Sequence, residues 1–486
     1  MSDENSDVPA DESDGGSPEQ PDGGSPEQPD NAETETALKR PQWREDLLLL
    51  GKLVAVTYAG FLIVGLLAGL SLNAIAGALQ AITFYTAVFG LVVLALNLHW
   101  GYTGLFNIGV AGFMAIGAYG MSIAAASPEG TPAGLGLPLP IAVVIGVVAA
   151  GAVGFVAALP ALRVRADYFA IVTLGVSEII RLTLLSGALR RIEIGDRVYG
   201  TGGGSGISAP PTDGVVDWLI GAEIPIIGLR PFGILAELAY AVAGLFFIQP
   251  SVVNSAFYTA ILLVFVVAFY LLLTRIAYSP AGRVLKAIRD DELAARSLGK
   301  DTSTAKIKVF VLGCALMGLA GILWQGSRTN VSPEEFMPLM TFYIFVALII
   351  GGAGSNTGGI VGAFAFAAFL WQGPRFVRTV FRENLTVRGA NNPYEALAEL
   401  VAADPMPLIG YLLSGLDEIR WILVGVVLIV MMIKRPDGLL GHRKELSAAT
   451  DITRPPALRA DGGEEPTPPD WATDRSESDE GGDDDE

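Results

Sequence analysis

The stretch AIAGALQAITFYTAVFGLVVLALNL, residues 74–98, decides the fold. It contains no Asp, Glu, Lys or Arg. At about 1.5 Å per residue it is long enough to cross the roughly 30 Å hydrocarbon core of a bilayer as a single α-helix. Lipid offers no hydrogen bonds to a backbone, so an apolar run of this length must satisfy its own amides, and a helix does so within one segment.

Working outward, comparable apolar runs occur at 47–70, 102–126, 139–160, 167–188, 255–274, 306–326, 339–353, 358–372 and 418–434. The fold class expected is all-α: a polytopic transmembrane helix bundle of about ten membrane segments. Composition agrees, with 17% charged and 51% hydrophobic residues, against roughly 25% charged in a soluble domain. The pair 339–353 and 358–372 is uneven. Each run is short, and GGAGSNTGG (Gly351–Gly359) separates them. Polar and glycine residues inside a bundle need a turn buried in protein or lining water, so this is a broken or re-entrant pair. Gly65/Gly69 and Gly358/Gly362 have the small-xxx-small spacing that lets helices approach.

The net charge of −18 comes mainly from the two ends. Residues 1–44 and 443–486 are rich in Ser, Pro, Gly, Asp and Glu, and GGSPEQPD occurs twice in succession over 15–30. Such segments bury too little apolar surface to offset ordering entropy, so both are expected to be disordered acidic tails around a transmembrane domain at 45–442. Arg far outnumbers Lys. An acidic, Lys-poor surface suits a cytoplasm of very high salt, as in a halophilic archaeon. The first forty residues read as acidic, not as a cleavable signal peptide. Cys314 is the single cysteine, which excludes a disulfide within the chain.

Two insertions, 190–253 and 373–416, interrupt the spans. Within the first, Ile234–Ile248 is short and carries Glu237, which favours an interfacial or docking helix. Loop 275–308 is rich in Arg and Lys, and Arg163, Arg165, Lys434 and Arg435 flank other spans. Ten spans put these segments and both tails on the cytoplasmic side. The insertions, which also carry arginines, fall outside. Within the loop, Pro280 opens and Gly299 ends a short amphipathic helix, with Val284, Leu285, Ile288, Leu293, Ala294 and Leu298 as its apolar side. Its mixed charges favour docking to a protein.

No catalytic constellation is legible. The only Gly-Lys beside a hydroxyl, Gly299-Lys300-Asp301-Thr302, lacks the upstream glycine of a phosphate loop, and no GxSxG or HExxH occurs. His99 and His442 have no partner at metal-ligand spacing. Polar groups inside spans are more informative, because burying them in lipid is costly. Glu178 and Arg181, three apart on one helix face, can neutralise each other. Asn97, Asn107 and Thr173 join them as candidates for a translocation path. So do Gly351, Gly352, Gly354 and Ser355, where helix-end dipoles suit a zwitterion.

Several blocks, in order, resemble one family. They are LNLHWGYTGLFNIGVAGFMAIGAYG (Leu96–Gly120), RVRADYFAIVTLGVSEIIRL (Arg163–Leu182), TGGGSGIS (Thr201–Ser208) and SPAGRVLKAIRDDELAARSLG (Ser279–Gly299). VSPEEF (Val331–Phe336), GGAGSNTGGIVGA (Gly351–Ala363) and RPDGLLG (Arg435–Gly441) follow. The chain resembles the LivM-type permease subunits of branched-chain amino-acid ABC importers. The resemblance implies a second homologous permease, two ABC ATPase subunits and an extracytoplasmic substrate-binding protein as partners. It also implies no cofactor and no ATP hydrolysis on this chain. The loop helix then corresponds to the coupling helix that seats on an ATPase, with Gly282, Arg289, Asp290, Glu292, Ala294, Ala295 and Gly299 as its residues. Ala294, Ala295 and Gly299 keep the A-A-x-x-x-G spacing of other importers. Leu293 stands where those have an acid, which here lies one residue earlier as Glu292. Permeases for urea or short-chain amides share most of these blocks. A stand-alone secondary transporter would need coupling carboxylates, for which Glu178 is the one good candidate.

Overall fold

The computed structural model describes residues 42–161, 166–195, 197–208, 231–326, 328–384, 390, 392–401 and 404–440. Most of both tails, and Arg163, Arg165 and His442, lie outside the described residues. The chain divides into two units, Met1–Ala55 and Val56–Glu486. The described part of the first is the opening half of helix α1 (Gln42–Leu67).

Helix α2 (Leu72–Thr103) is the hub. Ser71 caps its start, accepting from the Ala74 amide at 3.2 Å. Its second half, Ala87–Leu98, is buried on every side. A helix apolar all round is a buried one. Around it pack α7 (Pro250–Ala277), α10 (Thr302–Gln325), α11 (Pro338–Gly351) and α12 (Asn356–Ala365). α3 (Val110–Ala125), α4 (Leu139–Ala161) and α10 form a second tight group, with α5 (Ala166–Leu185) beside α3 and α4. Glycines set the separation there. A Cβ on Gly120 would lie 3.0 Å from the Gly146 Cα, and one on Gly321 would lie 2.7 Å from the Met114 Cα. Between apolar helices in lipid, close backbone approach of this kind is the main source of attraction. Gly358 and Gly362 both press against the backbone of Gly351 or Ala347. Gly65 packs on Ile75, but Gly69 does not pack: at φ 70° it makes the turn into α2.

Among the described residues, seven helices are long and apolar enough to cross a membrane. They include α1 from Leu48, α2, α4, most of α5, α7, α10 and the helix 356–384. Shorter apolar helices are α3, α11 and residues 233–245 of α6 (Pro231–Leu245). The last apolar helix, α15 (Leu416–Lys434), follows α13 (Pro393–Val401) and α14 (Met406–Ser414). Two sequence boundaries move. The run 102–126 is helical only from Val110, because Gly104 adopts φ 73° and terminates α2. The run 358–372 does not stop at the polar residues that end its hydropathy. It passes through a π-helical stretch, Phe366–Gln372, and continues to Asn384, so the insertion 373–416 begins as helix. The pair 339–372 is two helices joined by a short turn, the second far longer than its hydropathy suggests.

The contacts sort the connections into two ends. At one lie the C-terminus of α2, the loop helices α8 (Pro280–Asp290) and α9 (Glu292–Ser297), the turn 352–355 and residues 435–440. At the other, β1 (Ile192–Ile194) pairs antiparallel with β2 (Arg197–Tyr199), and β3 (Ile207–Ser208) with β4 (Asn330–Val331). There the Ala133 amide bonds the Val198 carbonyl at 2.7 Å, and Asn384 donates to the Ala68 carbonyl at 2.7 Å. The TGGGSGIS loop is thereby fixed to the strand that precedes Pro333–Phe336.

Candidate functional site

Two polar clusters and one surface loop collect most of the candidate residues. The first cluster surrounds the start of α3. Between Gly104 and Gly109 the chain leaves α2 unwound, and its amides need partners inside the bundle. Thr173 on α5 accepts from the Ile108 amide at 3.0 Å. Asn107 Oδ1 accepts from the Gly109 amide at 2.9 Å. Thr341 on α11 accepts from the Ala111 amide at 3.1 Å. Asn107 Nδ2 lies 3.2 Å from His99 Nδ1, and His99 Nε2 lies 3.2 Å from the Phe310 carbonyl. Since a carbonyl only accepts, the imidazole carries its proton on Nε2 and accepts from Asn107. His99, Asn107, Thr173 and Thr341 are all fully buried. α3 therefore begins within the protein, with its positive dipole end ringed by hydroxyl and amide groups.

The second cluster holds the turn between α11 and α12. Gly352 (φ 107°) and Gly354 (φ 90°) occupy backbone conformations that L-residues avoid. The Gly354 amide donates to Asn97 Oδ1 at 2.8 Å, and Asn97 Nδ2 donates to Asn356 Oδ1 at 3.1 Å. Asn356 Nδ2 in turn donates to Thr274 Oγ1 on α7 at 3.2 Å. Ser355 caps α12 by accepting from the Gly358 amide at 3.0 Å. Residues 435–440 close the turn from outside. The Leu439 and Leu440 amides bond the Ile350 and Gly351 carbonyls at 2.8 and 3.1 Å. Gly351, Gly352, Gly354 and Ser355 thus sit together with Asn97, and their helix-end groups bind each other and this segment.

Glu178 and Arg181 join neither cluster. They form a two-pronged ion pair, Nη2–Oε1 2.5 Å and Nε–Oε2 2.9 Å, one turn beyond Thr173. Planar fork-to-fork geometry lets the two charges neutralise each other locally.

The loop helices are defined by their caps. Ser279 Oγ accepts from the Gly282 amide at 3.1 Å, and Asp291 Oδ1 from the Ala294 amide at 3.0 Å. Asp301 starts α10 by accepting from the Thr304 amide at 3.0 Å. Bonds from the Thr304 hydroxyl and then its amide hold the Asp301 carboxyl below its ordinary value. Partial burial pushes the Glu292 carboxyl up, but Lys306 bonds it and Arg296 lies 3.2 Å away, and together they hold it below the usual range. Gly282 is buried where a Cβ would lie 2.5 Å from the Ala277 carbonyl. Gly299, at φ 74° in open space, is needed for its backbone and not for packing.

The single apolar side expected of this loop is split. Leu285, Ile288 and Ala295 face the bundle, while Leu293 and Leu298 are 72% and 78% exposed. Ala294 and Asp290 also face outward. Arg289 turns inward, donating from Nη1 to the Gly101 carbonyl at 2.7 Å. Lys286 is 1% exposed, its ammonium over the rings of Tyr278 and Tyr102. Thr341, Asn356 and Thr274 are the site residues that sequence reasoning did not single out, and Lys286 was read only as one of the basic residues of loop 275–308. For the first three, a hydroxyl or amide inside or bordering an apolar run was the available signal.

A set of membrane-crossing helices, with polar clusters where helices begin and end inside the bundle and a capped helical loop outside it, defines a multi-pass membrane transport protein. The family described as "Branched-chain amino acid transport system / permease component" matches residues 78–373, and the chain belongs to that family. It is 30% identical over 357 residues to the high-affinity branched-chain amino acid transport system permease protein LivM of Escherichia coli (strain K12). The match covers 73% of this chain and 68% of the relative. The protein of the same name from Salmonella typhimurium matches to the same extent. The probable branched-chain amino acid transport permease protein LivM of Methanocaldococcus jannaschii is 25% identical over 316 residues, 59% of this chain and 79% of that one. No solved structure matches. The matched region contains both polar clusters and the loop helices.

Proposed function

We propose that this chain is the transmembrane permease subunit of an ATP-driven importer of branched-chain amino acids. It forms the path together with a second homologous permease. Two ATP-hydrolysing subunits drive the pair, and an extracytoplasmic binding protein delivers the substrate. The chain itself transforms nothing.

The observation that carries this reading is the loop 279–299. It is rigidly capped and seated on the bundle through Leu285, Ile288 and Ala295, yet it presents Leu293 and Leu298 to the outside. Large exposed apolar side chains on a well-ordered polar loop suit a partner surface. Asp290, Glu292, Ala294, Leu293 and Leu298 face the ATPase, with Gly299 shaping the exit; Gly282, Arg289 and Ala295 hold the loop in place. This end is cytoplasmic, as its basic residues favour, and both tails lie there. Substrate passes Asn107, Thr173 and the start of α3. Contacts there are few, because binding strong enough to hold the substrate would block its release. The acidic, Lys-poor composition supports a cytoplasm of high salt, where the protein is more stable in molar KCl than in dilute buffer.

The test is uptake into sealed vesicles holding the complete transporter. Leucine uptake should require ATP and all subunits, and Leu293→Asp/Leu298→Asp should strip the ATPases from the purified complex. ATP-independent uptake would refute the reading. ATP-driven uptake of urea or amides, but not leucine, would move the substrate class and keep the rest.

A further inference from the structure

We infer that Arg289 and Lys286 form an inward-facing clamp that ties the loop helix α8 to the turn at 352–356, so that neither can move without the other. The inference rests on the permease reading above, and concerns which residues carry motion from the loop into the bundle.

The contacts form a closed ring. α7 runs through Thr274 directly into α8. From α8, Arg289 reaches the carbonyl of Gly101 at 2.7 Å in the last turn of α2. Lys286, buried beside it, stands over Tyr102 of the same turn. A helix C-terminus carries negative partial charge, so two cations are well placed there, and a charged donor makes the stronger hydrogen bond. Gly101 lies against the turn itself, since a Cβ there would fall 2.7 Å from the Gly354 amide nitrogen. One helical turn back, Asn97 binds both Gly354 and Asn356. Asn356 closes the ring by donating to Thr274. Arg289 and Lys286 span the gap from α8 to α2 with their side chains, and the remaining links are short polar bonds or direct backbone contacts. Packed interiors of this kind shift between discrete arrangements and do not deform gradually.

The arrangement separates two roles within one loop. Leu293 and Leu298 face a partner, whereas Arg289 spends its guanidinium on the bundle and on its neighbour Asp290. Arg289 is thus a positioning residue for transport and not a docking contact.

The experiment uses the complete transporter in proteoliposomes, and reads ATP hydrolysed per leucine imported. In Arg289→Ala, the ATPases should still co-purify and hydrolyse ATP, but uptake should fall about tenfold, so the ratio rises by the same factor; that is the scale of one charge-assisted hydrogen bond. Arg289→Lys, which keeps the charge but loses the fork, should give an intermediate ratio. An unchanged ratio in Arg289→Ala would overturn the inference. So would a parallel loss of hydrolysis and uptake together with the ATPases, which would make Arg289 a docking residue. If Arg289→Ala is not recovered from membranes, Arg289→Lys decides: a wild-type ratio overturns the clamp and a raised one supports it. Failure of wild-type uptake to need ATP would instead refute the permease reading.

Discussion

Asn97→Leu is the sharpest probe of the turn between α11 and α12. The replacement has the same branched side-chain skeleton and keeps the helix, but deletes both side-chain bonds of a fully buried residue. It orphans the Gly354 amide, bonded at 2.8 Å, and the Asn356 Oδ1, bonded at 3.1 Å. Each buried group left unpaired costs about 1–3 kcal/mol. The expected destabilisation is therefore about 2–6 kcal/mol. Asn356→Leu in the same background removes one of the two orphans, so the double variant should be less destabilised than the sum of the singles, by about 1–2 kcal/mol. Denaturant titration of the purified protein in detergent, followed by far-ultraviolet circular dichroism, measures all three variants. Strict additivity, or a loss below about 0.5 kcal/mol for Asn97→Leu, would refute the argument that these bonds hold the turn.

Gly354→Ala should cost about 1–2 kcal/mol because its φ of 90° is forced on a side-chain-bearing residue, whereas Gly425→Ala, helical and with open space around it, should be neutral or slightly stabilising in the same assay. Glu292 contributes stability through Lys306 and Arg296 at neutral pH. Its folded-state value lies below the ordinary 4.5, so that contribution is complete above 4.5 and is lost as pH falls through the depressed value. Glu292→Gln should flatten that part of the acid-unfolding profile and leave the profile above pH 4.5 parallel to wild type. Cys314 is fully buried. A maleimide should not label it in folded protein and should label it fully after denaturation; rapid labelling without denaturant would contradict the tight packing of α10.

Much of the membrane bundle was legible because hydropathy over a span is a local sum. The run 74–98 names its own solvent, whatever packs beside it. Pro280 and Gly299 were legible as the bounds of a loop helix for a similar reason, since each acts within one turn of chain, but the break at Asp291 that divides that expected single helix into α8 and α9 was not. What escaped was everything that depends on distant partners. Hydropathy ended one helix at 372, but the tertiary contacts carry it to Asn384, because Arg375 lies over the Tyr85 ring and Arg378 bonds the Leu413 carbonyl. It began another at 102, but α2 ends at Thr103 and the chain stays unwound from Gly104 to Gly109, because Thr173 and Asn107 take up the Ile108 and Gly109 amides. The run 74–98 itself shows the division. Its apolar composition determined that α2 crosses a membrane. Only the fold decided that Asn97, near its end, would meet Gly354 and Asn356 more than 250 residues away. A hydrogen bond needs its partner in place, and no count along the chain supplies that.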